Sequence, residues 1–167
     1  MNYADYKKHD FLNGIGLRNS LFVSGCNHAC KGCFNASAWS FNFGQPFTQE
    51  TEDMIIRDLN NKDIYVKGLS LLGGEPFEHP KRLTQLLKRV RTECKGKDIW
   101  CWSGYTFEEL IEDSEKLEML RYIDVLVDGK FELGKRDLTL KFRGSSNQRI
   151  IDLNKSIDNN VAILYNV

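Results

Sequence analysis

Residues 21–33 read Leu-Phe-Val-Ser-Gly-Cys-Asn-His-Ala-Cys-Lys-Gly-Cys, an apolar run that leads directly into three closely spaced cysteines. Cys26, Cys30 and Cys33 have the spacing Cys-x3-Cys-x2-Cys. Structural zinc sites and electron-carrying iron–sulfur sites use four protein ligands. Three thiolates can instead hold three irons of a [4Fe–4S] cube and leave the fourth iron open to a substrate. The spacing therefore indicates a catalytic cluster at the end of a strand.

The composition describes one domain with a hydrophobic core. The chain has 167 residues, of which 41% are hydrophobic, and its 23 Lys and Arg residues balance its 23 Asp and Glu residues. This balance offers no basic face for nucleic acid. Residues 1–10 are polar and charged, unlike a signal sequence, and no apolar run approaches the roughly 20 residues that span a bilayer. We expect a single domain over residues 1–167, a cytoplasmic location, and neither a nucleic-acid nor a membrane partner.

The number and positions of the cysteines favour metal or redox chemistry over disulfides. The chain has five cysteines, an odd number, and the expected location is reducing. Cys101 lies in mid-strand between two tryptophans and is predicted to be a small core residue, while Cys94 is predicted to be an ordinary free thiol at a helix end. His28 is the one histidine inside the cysteine loop, and a role as a metal ligand is a minor alternative for it.

Short apolar strands alternate with amphipathic helices along the chain. The predicted strands are 17–23, 68–72, 98–102 and 122–127, with weaker candidates at 138–142 and 161–165. Helices are indicated by a capping Thr48, by Pro80 at a first turn, by apolar residues at 83, 86, 87 and 90, and by the capping box Thr106-x-x-Glu109. This order is typical of parallel strands with right-handed crossovers. The sequence therefore predicts an α/β fold with a mostly parallel sheet or partial barrel.

Unusual residues follow each of the four main strands. The cysteine loop follows the first strand, and the later loops are Gly73-Gly74-Glu75-Pro76, Ser103-Gly104-Tyr105 and Asp128-Gly129-Lys130. Because the carboxyl ends of parallel strands gather on one rim, where active sites are built, we expect these loops to meet. Their convergence is a stronger indication of a site than any one of the motifs.

Each loop also has an ordinary interpretation. Gly73 and Gly74 let a ligand approach the backbone, but paired glycines also suit a plain strand-to-helix turn. Ser103 can bond a ribose hydroxyl or a carboxylate, or be a turn residue. Lys130 can neutralise a bound carboxylate, or form a solvated ion pair with Asp128 that contributes little. Four aromatic residues could shield a cluster or form a satellite core, namely Phe34, Trp39, Phe41 and Phe43.

Taken together, the motifs resemble those of the radical S-adenosylmethionine enzymes. Their hallmark is Cys-x3-Cys-x2-Cys with an aromatic residue near the last cysteine, here Phe34, and Gly73-Gly74-Glu75-Pro76 resembles their second motif. Within them, the chain is similar to the activating proteins of anaerobic ribonucleoside-triphosphate reductases over roughly residues 10–150. The matching stretches are 22–26, 44–48, 97–100, 102–105, 127–131 and 143–148. The last dozen residues fall outside the resemblance.

The departures from the family pattern are small. Phe34 stands where the family often has tyrosine, Glu75 where it has aspartate, Ser103 where it has threonine, and Ile15 where it has proline. None of these changes removes a ligand.

The resemblance implies a set of cofactor ligands. Cys26, Cys30 and Cys33 would ligate three irons of a [4Fe–4S] cluster, and the methionine amine and carboxylate of S-adenosylmethionine would chelate the fourth. No catalytic residue is implied beyond these cluster ligands. The residues implied to contact the cofactors are Gly32, Cys33, Phe34, Gly73, Gly74, Glu75, Ser103, Asp128 and Lys130.

The resemblance also implies a reaction, partners and a fold. Reductive cleavage of S-adenosylmethionine would give a 5′-deoxyadenosyl radical, which would abstract hydrogen from a glycine on the large subunit of anaerobic ribonucleoside-triphosphate reductase. A flavodoxin-type protein would donate the electron. The expected fold is an abbreviated partial (β/α) barrel of the radical S-adenosylmethionine type, whose missing wall would leave an opening for the glycine loop.

Three other interpretations remain open at the level of sequence. The chain could activate a different glycyl-radical enzyme, it could be a zinc or thiol-redox module built on Cys30-x2-Cys33, or it could be an electron-carrying ferredoxin. A redox pair would leave Cys26 unused, and a zinc site needs a fourth ligand that the sequence does not clearly supply. A ferredoxin would need a fourth cysteine near a proline.

Overall fold

A seven-stranded mixed sheet organises the chain, and the computed structural model describes all of residues 1–167. The strands are β1 (Asn2–Asp10), β2 (Arg18–Val23), β3 (Gln45–Pro46), β4 (Gly68–Gly73), β5 (Asp98–Trp102), β6 (Val125–Asp128) and β7 (Arg149–Asp152). Their spatial order is β3-β1-β2-β4-β5-β6-β7. The four central strands, β2, β4, β5 and β6, pair in parallel, whereas β1, β3 and β7 join the sheet by antiparallel pairing. The mixed α/β fold is confirmed, with its parallel part confined to the middle of the sheet.

Five α-helices accompany the sheet, and the first three begin at the predicted capping and first-turn signals. They are α1 (Gln49–Leu59), α2 (Pro80–Glu93), α3 (Phe107–Leu110), α4 (Ser114–Leu120) and α5 (Leu153–Asn159). The Thr48 side chain accepts a hydrogen bond from the Thr51 N–H at the start of α1. Thr106 and Glu109 form the predicted reciprocal capping box at α3. None of the helices is long and apolar enough to cross a membrane.

The core lies between the sheet and the helices on one of its faces. The predicted apolar stripe of α2 is fully buried there, through Leu83, Leu86, Leu87 and Val90. Cys101 of β5 belongs to this core, whereas its neighbour Trp100 packs on the opposite face. This confirms the prediction that Cys101 points away from the tryptophans, because successive side chains of a strand face opposite sides.

Several predicted boundaries are wrong. The last main strand begins at Val125 and not at Tyr122, because the amides of 122 and 123 still bond to the end of α4. The candidate strand 138–142 consists of turns and bends, and 161–165 contributes only the isolated bridge of Leu164 to Ile151. Four elements have no counterpart among the predicted ones, namely β1, β3, β7 and α5.

The amino ends of the parallel strands are joined by a buried arginine. Arg18 and Asp98 lie in one register row, with Gly68 of β4 between them. The fully buried Arg18 side chain donates to Asp98 Oδ1 at 2.6 Å and to Ser70 Oγ at 2.7 Å. A Cβ at position 68 would lie 2.9 Å from Arg18 Nη2, so the glycine leaves room for this crossing. The ion pair therefore links three central strands at the end of the sheet opposite the loops.

We expect Arg18→Met to lower the free energy of unfolding by about 3 kcal/mol, because it leaves Asp98 and Ser70 without their buried donor. Urea unfolding of the reduced protein, followed by circular dichroism, measures this change. Arg121→Met, at an exposed helix end, is the matched control and should change stability by no more than about 0.5 kcal/mol. A loss below about 1 kcal/mol for Arg18→Met would place it with ordinary surface ion pairs and contradict the anchoring role.

Candidate functional site

A cavity of about 640 Å³ lies at the carboxyl ends of the four parallel strands. The strand ends that line it are Phe22, Leu72, Trp102 and Val127. The predicted site residues that line it are Cys26, Cys30, Cys33, Phe34, Gly73, Gly74, Glu75 and Ser103. The expected meeting of the loops is therefore present, and it encloses a volume typical of small-molecule sites.

The cysteine loop leaves β2 through a turn at Gly25. Gly25 has φ 103°, a conformation that favours glycine, and its amide bonds to Ala38 O at 2.7 Å. The Cys26 amide bonds to Trp39 O at 3.0 Å, and the Cys33 amide bonds to Cys30 O at 3.1 Å. The first two contacts hold the start of the loop against residues 38–39, and the third forms a turn within the loop.

All three cysteines of the loop are free and partly exposed. Burial raises the pKa of the Cys26 and Cys30 thiols, although the Phe131 N–H and the Lys130 ammonium offset part of the effect at Cys30. No three Cys, His, Asp or Glu side chains come close enough together to hold a metal ion. The three thiols therefore do not form a site for a single metal ion.

Gly73 and Gly74 lie where two loops pack too closely to leave room for a side chain. Gly73 has φ 122°, and a Cβ there would overlap the backbone of Val23. A Cβ on Gly74 would lie 2.6 Å from the carbonyl oxygen of Gly25. The glycine-rich loop therefore lies directly against the start of the cysteine loop, and both glycines still line the cavity.

Glu75 is a buried carboxylate that connects the rim loops. Its side chain is 1% exposed. It accepts hydrogen bonds from the Phe77 amide at 2.9 Å, the Gly104 amide at 2.7 Å and Ser103 Oγ at 3.0 Å. His28 Nε2 lies 2.7 Å from the same carboxylate. The Ser103 hydroxyl thus bonds to a carboxylate, as one of its predicted roles allowed, but the carboxylate belongs to the protein.

Three predicted site residues lie outside the cavity lining. The Asp128 carboxylate is buried and accepts from the Phe107 amide at 2.7 Å and from Arg149 Nη2 at 2.6 Å. Its partner is therefore Arg149, and the ion pair with Lys130 is not formed. Lys130 is exposed, and Gly32 packs near Leu133 instead of facing the cavity. Only Gly129 of the 128–130 loop lines the cavity.

Arg143 is a cavity residue to which the sequence interpretation gave no role. It is the one Lys or Arg side chain among the lining residues. Its Nη1 donates to Gln148 O at 3.2 Å, and its buried Nε has no hydrogen-bond partner. The sequence signal for Arg143 is its place in the stretch 143–148, which matches the family pattern.

The aromatic residues near the cysteines divide into two groups. Phe34 and Trp39 line the cavity, and Phe34 packs against Phe131 at a ring distance of 5.6 Å. Phe41 instead packs against His79, and neither it nor Phe43 lines the cavity. The first pair borders the cavity, whereas Phe41 and Phe43 are 41% and 40% exposed and form neither a cover for the cavity nor a satellite core.

Several known proteins that are similar to this chain belong to one family. A family model described as a 4Fe-4S single cluster domain matches residues 12–151. A Pasteurella multocida protein is 51% identical over 153 residues, which cover 90% of this chain and 96% of the relative. A Vibrio cholerae protein is 54% identical, covering 90% and 97%, and an Escherichia coli protein is 50% identical, covering 89% and 96%. All three are named anaerobic ribonucleoside-triphosphate reductase-activating protein, and this chain belongs to that family.

Proposed function

We propose that the protein is an activase that generates a glycyl radical on the large subunit of anaerobic ribonucleoside-triphosphate reductase. The observation that carries the proposal is the meeting of three cysteines, the Gly73–Glu75 loop and Ser103 around one cavity. The family of the chain supports it, because its relatives are named for activating that reductase. The same names favour this reductase over another glycyl-radical enzyme.

The side chains of the cavity suit a three-cysteine [4Fe–4S] cluster with S-adenosylmethionine beside it. Cys26, Cys30 and Cys33 would hold the cluster, because the other two cysteines are buried in the core. A bound cluster supplies the electron for reductive cleavage of S-adenosylmethionine. The glycine-rich loop and Ser103 would then position this cofactor, and the apolar walls would limit access of water.

The proposed electron donor, domain assignment and barrel type follow from the resemblance to the family. A flavodoxin-type protein is proposed as the electron donor, residues 1–167 as one radical S-adenosylmethionine domain, and the sheet as an abbreviated partial barrel. The strand order supports an incomplete barrel, because β3 and β7 are the two ends of the sheet and do not pair with each other. The cofactor roles of Gly32, Asp128 and Lys130 remain part of the proposal.

We expect Cys26, Cys30 and Cys33 each to be required for the cluster. Single Cys→Ser variants at all five positions, reconstituted under argon, should lose iron and the broad visible absorbance only for these three, because they alone line the cavity. The variants of Cys94 and Cys101 are the controls, and circular dichroism checks their folding. Loss of iron in a folded Cys94→Ser variant would contradict the assignment.

We expect Lys130→Met to weaken binding of S-adenosylmethionine about ten- to a hundredfold with iron content unchanged. The reason is the loss of one charge-assisted hydrogen bond to the methionine carboxylate, which costs about 1.5–3 kcal/mol. Anaerobic titration of the reconstituted protein measures the affinity.

Arg143→Met is the comparison for this titration, because Arg143 lines the cavity and Lys130 is exposed. Unchanged affinity in Lys130→Met would return Lys130 to the role of a surface residue. A loss confined to Arg143→Met would assign the carboxylate contact to that arginine.

We expect the reduced protein, S-adenosylmethionine and the reductase to yield 5′-deoxyadenosine and a carbon-centred doublet in the electron paramagnetic resonance spectrum. The physical reason is the open rim, which suits a backbone loop of a large partner better than a free metabolite.

Substitution of the reductase glycine by alanine is the control for the doublet. It should abolish the signal while uncoupled cleavage of S-adenosylmethionine continues. A doublet that survives this substitution, or that arises without the reductase, means that the activase proposal is wrong.

A further inference from the structure

His28 lies in the middle of the cysteine loop, and its side chain is turned inward. The side chain is only 7% exposed, and Nε2 lies 2.7 Å from Glu75 Oε1. Because the Glu75 carboxyl oxygens also accept from two amides and a hydroxyl, we assign the hydrogen of this contact to Nε2. The centre of the loop is thereby tied to the loop that follows β4.

The imidazole of His28 occupies a fitted space made by the loop after β5. A Cβ on Gly104 would lie 2.5 Å from His28 Cδ2, so any side chain at position 104 would displace the ring. The ring of Tyr105 packs against the imidazole in a T-shaped arrangement with centroids 4.5 Å apart. His28 therefore fits this loop in two ways. Gly104 leaves space for its imidazole, and the Tyr105 ring packs against it.

Glu75 extends this contact to the rest of the rim. Besides His28, its carboxylate receives the amides of Phe77 and Gly104 and the hydroxyl of Ser103. A buried carboxylate with this many donors has a fixed orientation. A second bond, from Asn27 Nδ2 to Glu78 Oε2 at 3.2 Å, joins the same two loops nearer the surface.

We propose that His28 and Glu75 form a clasp that positions the cysteine loop against the glycine-rich loop. His28 is then a positioning residue and not an iron ligand. The consequence rests on the proposed function: the clasp fixes the distance between the cluster and the bound S-adenosylmethionine. Chelation of that cofactor by the open iron depends on this distance, because both loops must present their groups to one ligand.

The test uses the full chain with His28→Leu, His28→Gln and Gly104→Ala, and with His9→Gln as a control at an exposed position of β1. Iron content, affinity for S-adenosylmethionine and the electron paramagnetic resonance spectrum of the reduced cluster are measured after anaerobic reconstitution. His28→Leu should keep its iron, bind S-adenosylmethionine about tenfold more weakly, and show a smaller spectral change when the cofactor is added.

Two variants separate the clasp from a general loss of structure. His28→Gln should restore most of the affinity, because the glutamine amide can donate from nearly the position of Nε2. Gly104→Ala should reproduce the His28→Leu defect without changing either clasp residue, because its methyl group displaces the ring. His9→Gln should behave as the unmodified protein does.

A second readout uses the protein without iron. In His28→Leu and Gly104→Ala, alkylation of Cys26 and Cys30 by iodoacetamide, followed by mass spectrometry, should be several-fold faster than in the unmodified protein, because the loop is released. Alkylation of the buried Cys94 should not change. This readout keeps the clasp testable if the unmodified protein takes up no cluster, an outcome that would overturn the proposed function instead.

Two results would overturn the clasp. Equal loss of iron in His28→Leu and His28→Gln would make His28 an iron ligand. Unchanged cofactor affinity and unchanged alkylation in both His28→Leu and Gly104→Ala would show that the contact positions nothing.

Discussion

Parallel pairing of the four central strands is the constraint on which the rest of this structure depends. The register joins Val23 to Gly73, and Trp102 to Val127. Each parallel pair requires a crossover that returns the chain to the same end of the sheet, so every loop that follows a central strand emerges on one rim. Residues far apart in the sequence therefore share one cavity without any long-range motif to bring them there. At the opposite end, the buried Arg18 keeps the strands in this register.

The sequence predicted those parts of the fold that depend on local signals. Such signals span only a few neighbouring residues. They include the apolar stripe of α2, the capping box of α3 and the apolar runs of the central strands. β1 was missed because Asn2–Asp10 is largely polar, and its strand conformation depends on pairing with β2 and, at its first residues, with β3. Residues 138–142 show the reverse case. Their alternating apolar residues mimic a strand, but Leu138 and Phe142 contribute to the cavity wall instead of pairing.

The candidate site was predicted as a set of loops, but the partners of its charged groups were not. Asp128 was expected to face the ligand with Lys130, yet its carboxylate is taken by Arg149. That partner lies on β7, a strand that the sequence did not reveal, and so the pairing could not be predicted. Arg143 was overlooked for a similar reason, because its position in the cavity depends on the path of a loop without regular structure. Motif spacing therefore indicated which cysteines lie at the cavity, but it did not indicate which charged side chains pair with one another.

The buried Glu75 carboxylate makes the positions of the three loops around the cavity depend on one another. A carboxylate removed from water is strongly unfavourable unless donors surround it. Here the donors come from three separate loops, through His28, the Phe77 amide, and Ser103 with the Gly104 amide. The carboxylate is therefore satisfied only when all three loops are in place together, and its acceptor sites are largely used within the protein. Recognition of a ligand at this rim is then left to groups other than the Glu75 carboxylate, and Glu75 determines where those groups stand.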